Sequence, residues 1–345
     1  MSPSLPSSSR RPSRGNPVGV LLMAFGSPAS VADIAGFLGS VRGGRAVTAD
    51  AVVEFRRRYD LVGGSPLVQA TEAQRQGLQR ELDRCRGAGA FVVVAGMRHS
   101  SPAVTQAVDE LLQAGVTEVL AVVLSPQQSQ AMVADYAAAV EGALLAARAR
   151  DLEVRFAPPW YQQKDLVRAL SVVTAPLYQG LVNRRQGKVS VIATAHSLPL
   201  SWSDSEPRYS AQVEETSRLL GRRLGARADE VQVAYQSAGP NPQAWLGPQL
   251  QGAIEQAAAD GARHVLVVPV QFLCDHLEVR YDLDVLAKAA ARAVGVGFTR
   301  APTVGASPLL VSALAHVVME ATVAGPGPEG LRLTAPAAKE IGVSC

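Results

Sequence analysis

Apolar residues occur along the chain in short, nearly continuous runs rather than in alternation with polar residues. Three of the clearest are VGVLLMAF at 18–25, KVSVIATA at 188–195 and RHVLVVPV at 263–270. Runs of this kind are typical of strands buried on both faces of a parallel sheet. Five further runs complete a set of eight predicted strands: 91–95, 117–124, 152–157, 231–236 and 295–300.

Segments rich in Ala, Leu, Glu and Arg separate these runs, and their apolar residues recur at helical spacing. The predicted helices cover 70–86, 102–115, 131–150, 206–224, 244–260 and 307–323. A further helix is expected to end in the arginines at 56–58, between two Gly-Gly pairs. Alternation of strands and helices predicts an α/β fold with parallel sheets.

The strand ends of the two halves of the chain resemble each other. Three strands of the first half lead into FGSP, AGMRHSSP and LSPQQS, and three of the second half lead into AHSLP, QSAGP and VPVQF. Ligands of open α/β sheets bind beyond the carboxyl ends of the strands. We therefore expect two Rossmann-like lobes, each a doubly wound, mainly parallel four-stranded sheet, that face each other across a cleft.

A chain of 345 residues exceeds the usual size of one compact core, so two domains are expected. The Ser- and Pro-rich start, which holds three arginines and no acid, predicts a disordered leader. Helix 307–323 is expected to pack back on the first lobe. The predicted division is a leader at 1–16, a first lobe at 17–150, a second lobe at 151–306 and a loose tail at 324–345.

Composition narrows the class of protein. Hydrophobic residues make up 48% and charged residues 18%, which suits a folded chain. The formal net charge of +3 comes from the leader arginines, so the remainder lacks the basic surface that nucleic-acid binding requires. No stretch reaches the roughly 18 apolar residues of a membrane span. The three cysteines lie far apart, which favours a reduced, cytoplasmic protein without disulfides.

Motifs for several kinds of chemistry are missing from the sequence. It contains no GxxxxGK[ST], and no GxGxxG follows the first strand, so nucleotide cofactors are not expected. It contains neither a GxSxG elbow nor HExxH, and no cysteine is placed as a nucleophile. The predicted cleft must therefore work without a covalent intermediate.

His196 follows the predicted strand at 188–195 and should project into the cleft. Imidazole changes its charge near neutral pH and is the commonest metal ligand, so a functional role is plausible. The alternative is a histidine that only caps the strand by bonding to backbone. The residues around it do not decide between the two.

A cluster of acids follows the strand at 263–270, within FLCDHLEVRYDLD at 272–284. In a helix, Glu278 and Asp282 share a face, where two carboxylates attract divalent cations or transfer protons. The alternative is a solvated acidic face. Asp275 is a candidate cap for the start of this helix, and His276 is expected to point elsewhere.

The segment 40–67 of the first lobe carries arginines that can grip carboxylates of a ligand: Arg42, Arg45 and Arg58. The planar guanidinium suits bidentate binding of carboxylates. The alternative is a set of surface arginines at a helix end, where the helix dipole favours positive charge.

Six motifs in this order resemble the ferrochelatase family over residues 18–323: LLMAFGSP, RRRYDLVGGSPL, GMRHSSP, TAHSLP, AYQSAGPNPQAWLGP and VPVQFLCDHLEVRYDLD. TAHSLP, WLGP and the RGGR segment are most similar to the branch of monoderm bacteria that uses coproporphyrin III. The resemblance implies a porphyrin cleft between the lobes and insertion of ferrous iron during haem biosynthesis. It also implies that His196 and Glu278 bind the metal or take the pyrrole protons.

The resemblance implies further residues and partners. The substrate contacts it places are Arg42, Arg58, Tyr59, Ser65 and Tyr136. It implies porphyrin and ferrous iron as partners, a hand-over to the next haem-pathway enzyme, and no required nucleotide. Some members of the family carry a cysteine-ligated iron–sulfur cluster, which the three scattered cysteines of this chain cannot supply. Two positions depart from the family pattern. Phe25 stands where this branch often has an iron-ligating tyrosine, and Leu286 stands where the acidic series of the family continues.

Two other functions stay open at this point. A sister chelatase would insert cobalt or iron into sirohydrochlorin, although such enzymes usually offer paired histidines to the metal. A porphyrin-binding protein without turnover would fit the departures at Phe25 and Leu286.

Overall fold

The structure is a computed structural model that describes residues 16–184, 187–203, 207–226, 231–239, 244–323 and 331–334. Its strands are β1 (Val18–Ala24), β2 (Phe91–Met97), β3 (Glu118–Val123), β4 (Glu153–Phe156), β5 (Lys188–His196), β6 (Val231–Gln236), β7 (Ala262–Pro269), β8 (Gly297–Arg300) and β9 (Arg332–Leu333). All eight predicted strands are present, within a few residues of their predicted ends.

The strands form two sheets with the same internal order. The first sheet runs β2-β1-β3-β4-β9 and the second runs β6-β5-β7-β8. Every pairing is parallel except that of β4 with β9. The predicted class, α/β with two Rossmann-like lobes, is confirmed.

The helices connect and cover these strands. They are α1 (Ile34–Val41), α2 (Ala49–Leu61), α3 (Leu67–Arg86), α4 (Val104–Gln113), α5 (Gln130–Ala146), α6 (Lys164–Asn183), α7 (Leu200–Ser203), α8 (Pro207–Leu224), α9 (Leu250–Ala259), α10 (Lys288–Ala293) and α11 (Pro308–Val323). A π-helix spans Val279–Ala287, directly before α10. None of the described helices combines the length and apolarity needed to cross a membrane.

Helix α6 was not predicted from the sequence. Its segment contains Pro176 and several β-branched residues, which lower helix propensity. The face that carries Leu166, Leu170 and Tyr178 is nevertheless buried in the core between the lobes. Burial of each such side chain contributes about 1.5–3 kcal/mol, which outweighs the weak propensity.

Two predicted boundaries are wrong. Strand β4 pairs with β3, with Val154 beside Val119, so the first lobe extends beyond residue 150. Residues 331–334 are not a loose tail, because β9 adds an antiparallel edge to β4 and buries Leu333. Residues 1–15 of the predicted leader, and 324–330 and 335–345 of the predicted tail, lie outside the described residues.

One layer of helices joins the two sheets. Helices α3, α6, α8 and α11 contribute to a single apolar cluster that includes Leu22 of β1, Val191 of β5 and Leu314 of α11. Helix α11 packs against both α3 and α6. Since this core continues from lobe to lobe, the carboxyl ends of both sheets are held in a defined relation.

Candidate active site

His196 is the last residue of β5, and its side chain is about one third exposed. Its backbone N–H donates to Oε1 of Gln271 over 2.8 Å, and its carbonyl accepts from the hydroxyl of Tyr209 over 2.8 Å. The imidazole therefore extends from a fixed backbone at the strand end, and its projection into a cleft stays a prediction.

The ring nitrogens of His196 have different roles. Nδ1 is hydrogen-bonded to the carbonyl oxygen of Ser197, which can only accept, so Nδ1 carries the proton. In the neutral ring, Nε2 then holds the free lone pair, and this atom lies 3.7 Å from Oε1 of Glu278. The nitrogen suited to a metal ion thus faces a carboxylate.

Glu278 reaches the same place from the segment after β7, immediately before the π-helix. Its backbone N–H donates to Nδ1 of His276 over 3.2 Å, and its carbonyl oxygen lies 3.4 Å from the donating Nε2 of Gln236. His276 therefore receives the N–H at the start of this helix, where Asp275 was expected to act. π-helical turns are rare and are frequently found at functional sites.

The proximity of these two side chains changes their ionisation. Burial opposes a charge on His196, but the Glu278 carboxylate raises the pKa of His196 to about 8. Burial also opposes the charge on Glu278, but His196 lowers the pKa of that carboxyl to about 2. Between these values the pair is an imidazolium beside a carboxylate, and the proton must leave before Nε2 can bind a metal.

Asp282 lies farther along the π-helix on the side of Glu278. Burial and the nearby Glu278 charge raise the pKa of Asp282 to about 6, against the hydrogen bond that it accepts from the Ser237 hydroxyl. Ser237 has a positive φ of 62°, a conformation that is uncommon for residues other than glycine. A carboxyl group that titrates near neutral pH is suited to proton transfer.

Two other acids of this segment accept hydrogen bonds from an arginine instead of facing His196. Asp284 accepts two hydrogen bonds from Arg300, at 2.6 and 3.0 Å, and Asp275 accepts one at 2.9 Å. Arg300 thus fixes both flanks of the segment that carries Glu278 and Asp282. Among the described residues, no group of three or more His, Cys, Asp or Glu side chains is arranged to hold a metal ion.

The corresponding edge of the first lobe is aromatic. Phe25, just after β1, is 42% exposed and packs edge-on against His99 and Phe37, with ring centroids 4.6 and 6.2 Å away. Burial lowers the pKa of His99 to about 4, so this ring is neutral. Gly26 has a φ of +99°, and a Cβ there would meet Oγ of Ser100 at 2.7 Å, so only glycine suits this turn.

Helix α2 of the first lobe contacts the π-helix of the second. Nη2 of Arg57 donates to the Tyr281 hydroxyl over 3.0 Å, and the guanidinium of Arg58 lies 4.9 Å from the centre of that ring. Nη1 of Arg280 lies 3.3 Å from the carbonyl of Val62. These contacts join the two lobes on the side of the π-helix.

A sequence model of the ferrochelatase family matches residues 17–322 of this chain. The chain belongs to the ferrochelatase family. Membership carries the coarse activity of the family, insertion of iron into a porphyrin, and leaves the choice of porphyrin open. The family predicted from the six motifs is thereby confirmed.

Several proteins of similar sequence are ferrochelatases. The ferrochelatase of Deinococcus radiodurans is 33% identical over 88% of this chain and 95% of its own length. Coproporphyrin III ferrochelatases of Geobacillus thermodenitrificans and Bacillus subtilis are each 30% identical over 88% of this chain, covering 95% and 97% of those proteins. Among solved structures, SirB from Bacillus subtilis with Fe3+ has the same fold, with a TM-score of 0.57 at 12% identity, over 88% of this chain and 95% of that one.

Five residues were assigned to the substrate from the ferrochelatase resemblance. Three of them lie in different surroundings. Arg42 is exposed after α1, with Nη1 3.4 Å from the carbonyl of Ala46. Arg58 is bound to Glu54 over 2.8 Å as well as stacked on Tyr281. Ser65, in the loop after α2, has a buried hydroxyl oxygen without a hydrogen-bond partner among the described atoms.

The two tyrosines assigned to substrate are buried. Tyr59 is 7% exposed, and its hydroxyl donates to the carbonyl of Pro28 in the loop after β1. Tyr136 is 5% exposed and lies under the guanidinium of Arg98, 5.8 Å from the ring centre. Direct contact of either with a porphyrin stays a prediction, and the geometry places both behind the residues that form the surface.

Sequence reasoning missed Gln271, Tyr209 and His99. Gln271 and Tyr209 hold the backbone of His196, and His99 supports Phe25. Gln271 and His99 lie within quoted motifs and Tyr209 lies within the predicted helix 206–224, but none of these patterns marks a side chain that holds another residue in place. The only available signal was position, because Gln271 directly follows a buried strand.

Proposed function

We propose that this protein inserts ferrous iron into coproporphyrin III, forming coproheme in the cytoplasm for the next enzyme of haem synthesis. The observation that carries the proposal is the 3.7 Å separation of Nε2 of His196 and Oε1 of Glu278, beyond the carboxyl ends of β5 and β7. Imidazole and carboxylate are suitable ligands for ferrous iron, and both accept protons.

The chemistry requires protons and metal to exchange places. Two pyrrole N–H bonds break, the electron pairs stay on nitrogen, and Fe2+ binds to the ring nitrogens without a change in oxidation state. We assign to His196 and Glu278 the capture of the incoming ion and then the acceptance of the pyrrole protons. Asp282, with a pKa of about 6, is placed to pass those protons onward at neutral pH.

Choice of the porphyrin depends on its carboxylates. Arg42 and Arg45 are exposed on the loop after α1, and among the described residues each guanidinium bonds only to backbone carbonyls, those of Ala46 and Arg42. Coproporphyrin III carries more propionates than protoporphyrin IX, and guanidinium groups suit such carboxylates. The names of the Geobacillus and Bacillus relatives support the same choice.

We also propose that the reaction requires neither a nucleotide nor an iron–sulfur cluster. The sequence lacks the phosphate-binding motifs of nucleotide sites. Cys85 is exposed on α3 of the first lobe, whereas Cys274 is buried after β7 of the second lobe. Cys345 lies outside the described residues. Activity of purified protein after treatment with an iron chelator, with only Fe2+ and porphyrin restored, tests this proposal.

The decisive experiment is an anaerobic absorbance assay with Fe2+ and a panel of coproporphyrin III, protoporphyrin IX and sirohydrochlorin. Coproporphyrin III should give the highest kcat/KM, and His196→Ala should abolish turnover on it. His316→Ala is the matched control, since His316 lies on α11 and pairs with Asp165 over 3.4 Å. Equal rates for His196→Ala and the parent would contradict the assignment.

The two other functions have outcomes of their own in this panel. Fastest turnover on sirohydrochlorin would indicate the sister chelatase. Tight porphyrin binding, measured by fluorescence quenching, without metal insertion would indicate a binding protein. The site does not favour the sister chelatase, because a second histidine, His276, already accepts from the backbone N–H of Glu278.

A further inference from the structure

The pairing of β5 with β7 ends one step before His196. In this parallel pair the last backbone bond runs from the N–H of Val270 to the carbonyl of Thr194, over 3.1 Å. The next N–H of β5 on this side belongs to His196, and it donates over 2.8 Å to the side-chain oxygen of Gln271. The amide of Gln271 thus takes the place of a strand carbonyl at the residue that carries the proposed chemistry.

The carbonyl of His196 is held by a second side chain. Tyr209 of α8 is fully buried, and its hydroxyl lies 2.8 Å from this carbonyl and 3.1 Å from the same Oε1 of Gln271. Both backbone polar groups of His196 therefore depend on Gln271 and Tyr209.

The other end of Gln271 reaches the first lobe. Its Nε2 lies 3.2 Å from Oγ of Ser125 and 3.3 Å from the carbonyl of Gln127, both in the loop after β3. The residue is 4% exposed. Its oxygen accepts the N–H of His196 and its nitrogen has two acceptors, so both ends of the amide are bonded. The single hydroxyl proton of Tyr209 is shared between the His196 carbonyl and this oxygen.

We propose that Gln271, assisted by Tyr209, is a positioning residue that sets the location of His196 relative to the first lobe. One amide fixes the backbone of His196 on one side and the loop 125–127 on the other. The inference rests on the proposed function in giving His196 the reactive role. A misplacement of about 1 Å at such a group can lower the rate by roughly a hundredfold.

Gln271→Met tests the proposal, because methionine has a similar length but cannot replace the hydrogen bonds. Gln212→Met is the matched control. Gln212 is also buried and also joins the lobes, accepting from the N–H of Gln128 over 2.9 Å and donating to its carbonyl over 3.1 Å, but it does not touch His196. Gln271→Met should lower kcat by about tenfold to a hundredfold with KM for porphyrin nearly unchanged, and Gln212→Met should retain most of kcat.

Two further variants separate positioning from stability. Gln271→Glu keeps an oxygen that accepts from His196 but cannot donate to the carbonyl of Gln127, so it should recover only part of the lost kcat. Tyr209→Phe removes only the hydroxyl and should lower kcat less than Gln271→Met does. Equal losses of kcat in Gln271→Met and Gln212→Met, or no recovery with Gln271→Glu, would overturn the proposal.

Hydrogen exchange provides a readout that needs no enzymatic activity. With 15N-histidine labelling, the backbone amide of His196 should be protected in the parent and exchange about tenfold or more faster in Gln271→Met. Gln212→Met should leave that amide protected. If the parent inserts no iron but this exchange pattern holds, the proposed function fails and the positioning role stands. An unprotected His196 amide in the parent overturns the positioning role itself.

Discussion

The two sheets offer the same scaffold but place different chemistry on it. Their strand orders correspond, with β1 and β5 at the equivalent central position. The backbone N–H of the first residue after β3 donates to the carbonyl of Met23. In the second sheet, the backbone N–H of the first residue after β7 donates to the carbonyl of Thr194. Phe25 and His196 each lie two residues beyond these carbonyls, so an aromatic hydrocarbon and an imidazole occupy equivalent sites.

The surroundings of these two residues differ in polarity, as the residues themselves do. Phe25 lies among the rings of Phe37 and His99, whereas His196 faces the carboxylate of Glu278. An apolar surface in one lobe and a pair of proton acceptors in the other would suit a macrocycle whose centre is deprotonated. The comparison teaches that equivalent backbone positions of one fold carry different chemistry, because the residue types differ there.

The largest loss of kcat is expected when both equivalent positions carry the same residue type. His196→Phe gives the second lobe the residue of the first and should lower kcat by roughly 10²–10⁴-fold, the usual contribution of an acid–base group. Steady-state iron insertion measures the loss. Phe25→Leu is the control, and it should cost far less. Similar losses in both variants would mean that both sites act only as walls.

Glu278→Gln tests the charge partner and should lower kcat by roughly tenfold to a hundredfold. In the parent, His196 is protonated below its pKa of about 8, so the rate should rise as pH rises through that value. Without the carboxylate, burial lowers the pKa of His196, and the rise should move down by about 1 pH unit or more. A pH–rate profile measures the shift, with Glu215→Gln as the control because Glu215 pairs with Arg218 on α8.

The same ion pair makes stability depend on pH. A raised pKa in the folded state means that the stabilising contribution of His196 is fully present below its ordinary value of 6.5. This contribution is lost as pH rises through about 8. Urea unfolding across this range should show the loss in the parent and not in His196→Phe. A parallel dependence in both proteins would place the titrating group elsewhere.

Arg300→Lys tests whether the segment that carries Glu278 needs the hydrogen bonds of Arg300 to stay in place. Lysine cannot bind Asp284 through two nitrogens while also reaching Asp275, so Glu278 should become less well placed. We expect a decrease in kcat of about tenfold, with a smaller change in KM. Arg84→Lys, at an exposed pair with Glu81, should have no effect. An unchanged kcat in Arg300→Lys would show that the π-helix holds its own geometry.

The smallest effect is expected for Phe25→Tyr, which adds only a phenol to the first lobe. Because the packing with His99 and Phe37 is retained, kcat should change by less than about threefold. A shifted absorbance of the bound product would indicate that the phenol reaches the iron. A large loss of kcat, with no such shift, would mean that Phe25 packs too tightly to accept an added oxygen.

Part of this architecture was predictable from local pattern. The eight apolar runs gave the parallel strands, because strands buried on both faces require continuous apolar residues. Helix α6 was missed since its Pro176 and β-branched residues hide a helix that only the shared core stabilises. The place of β4 in the first sheet, and the pairing of β9 with it, depend on contacts between distant segments.

The sequence by itself determined the fold class and the family, and it singled out the two side chains of the proposed reaction, because each is encoded in short runs of neighbouring residues. Only the tertiary structure decided that Nε2 of His196 faces Glu278, that Asp284 belongs to Arg300, and that Gln271 links His196 to the first lobe. These facts depend on side chains 16 to 146 residues apart, as for Arg300 with Asp284 and Gln271 with Ser125. The periodicity of apolar residues does not predict such contacts, because they form only when packed elements bring the side chains together.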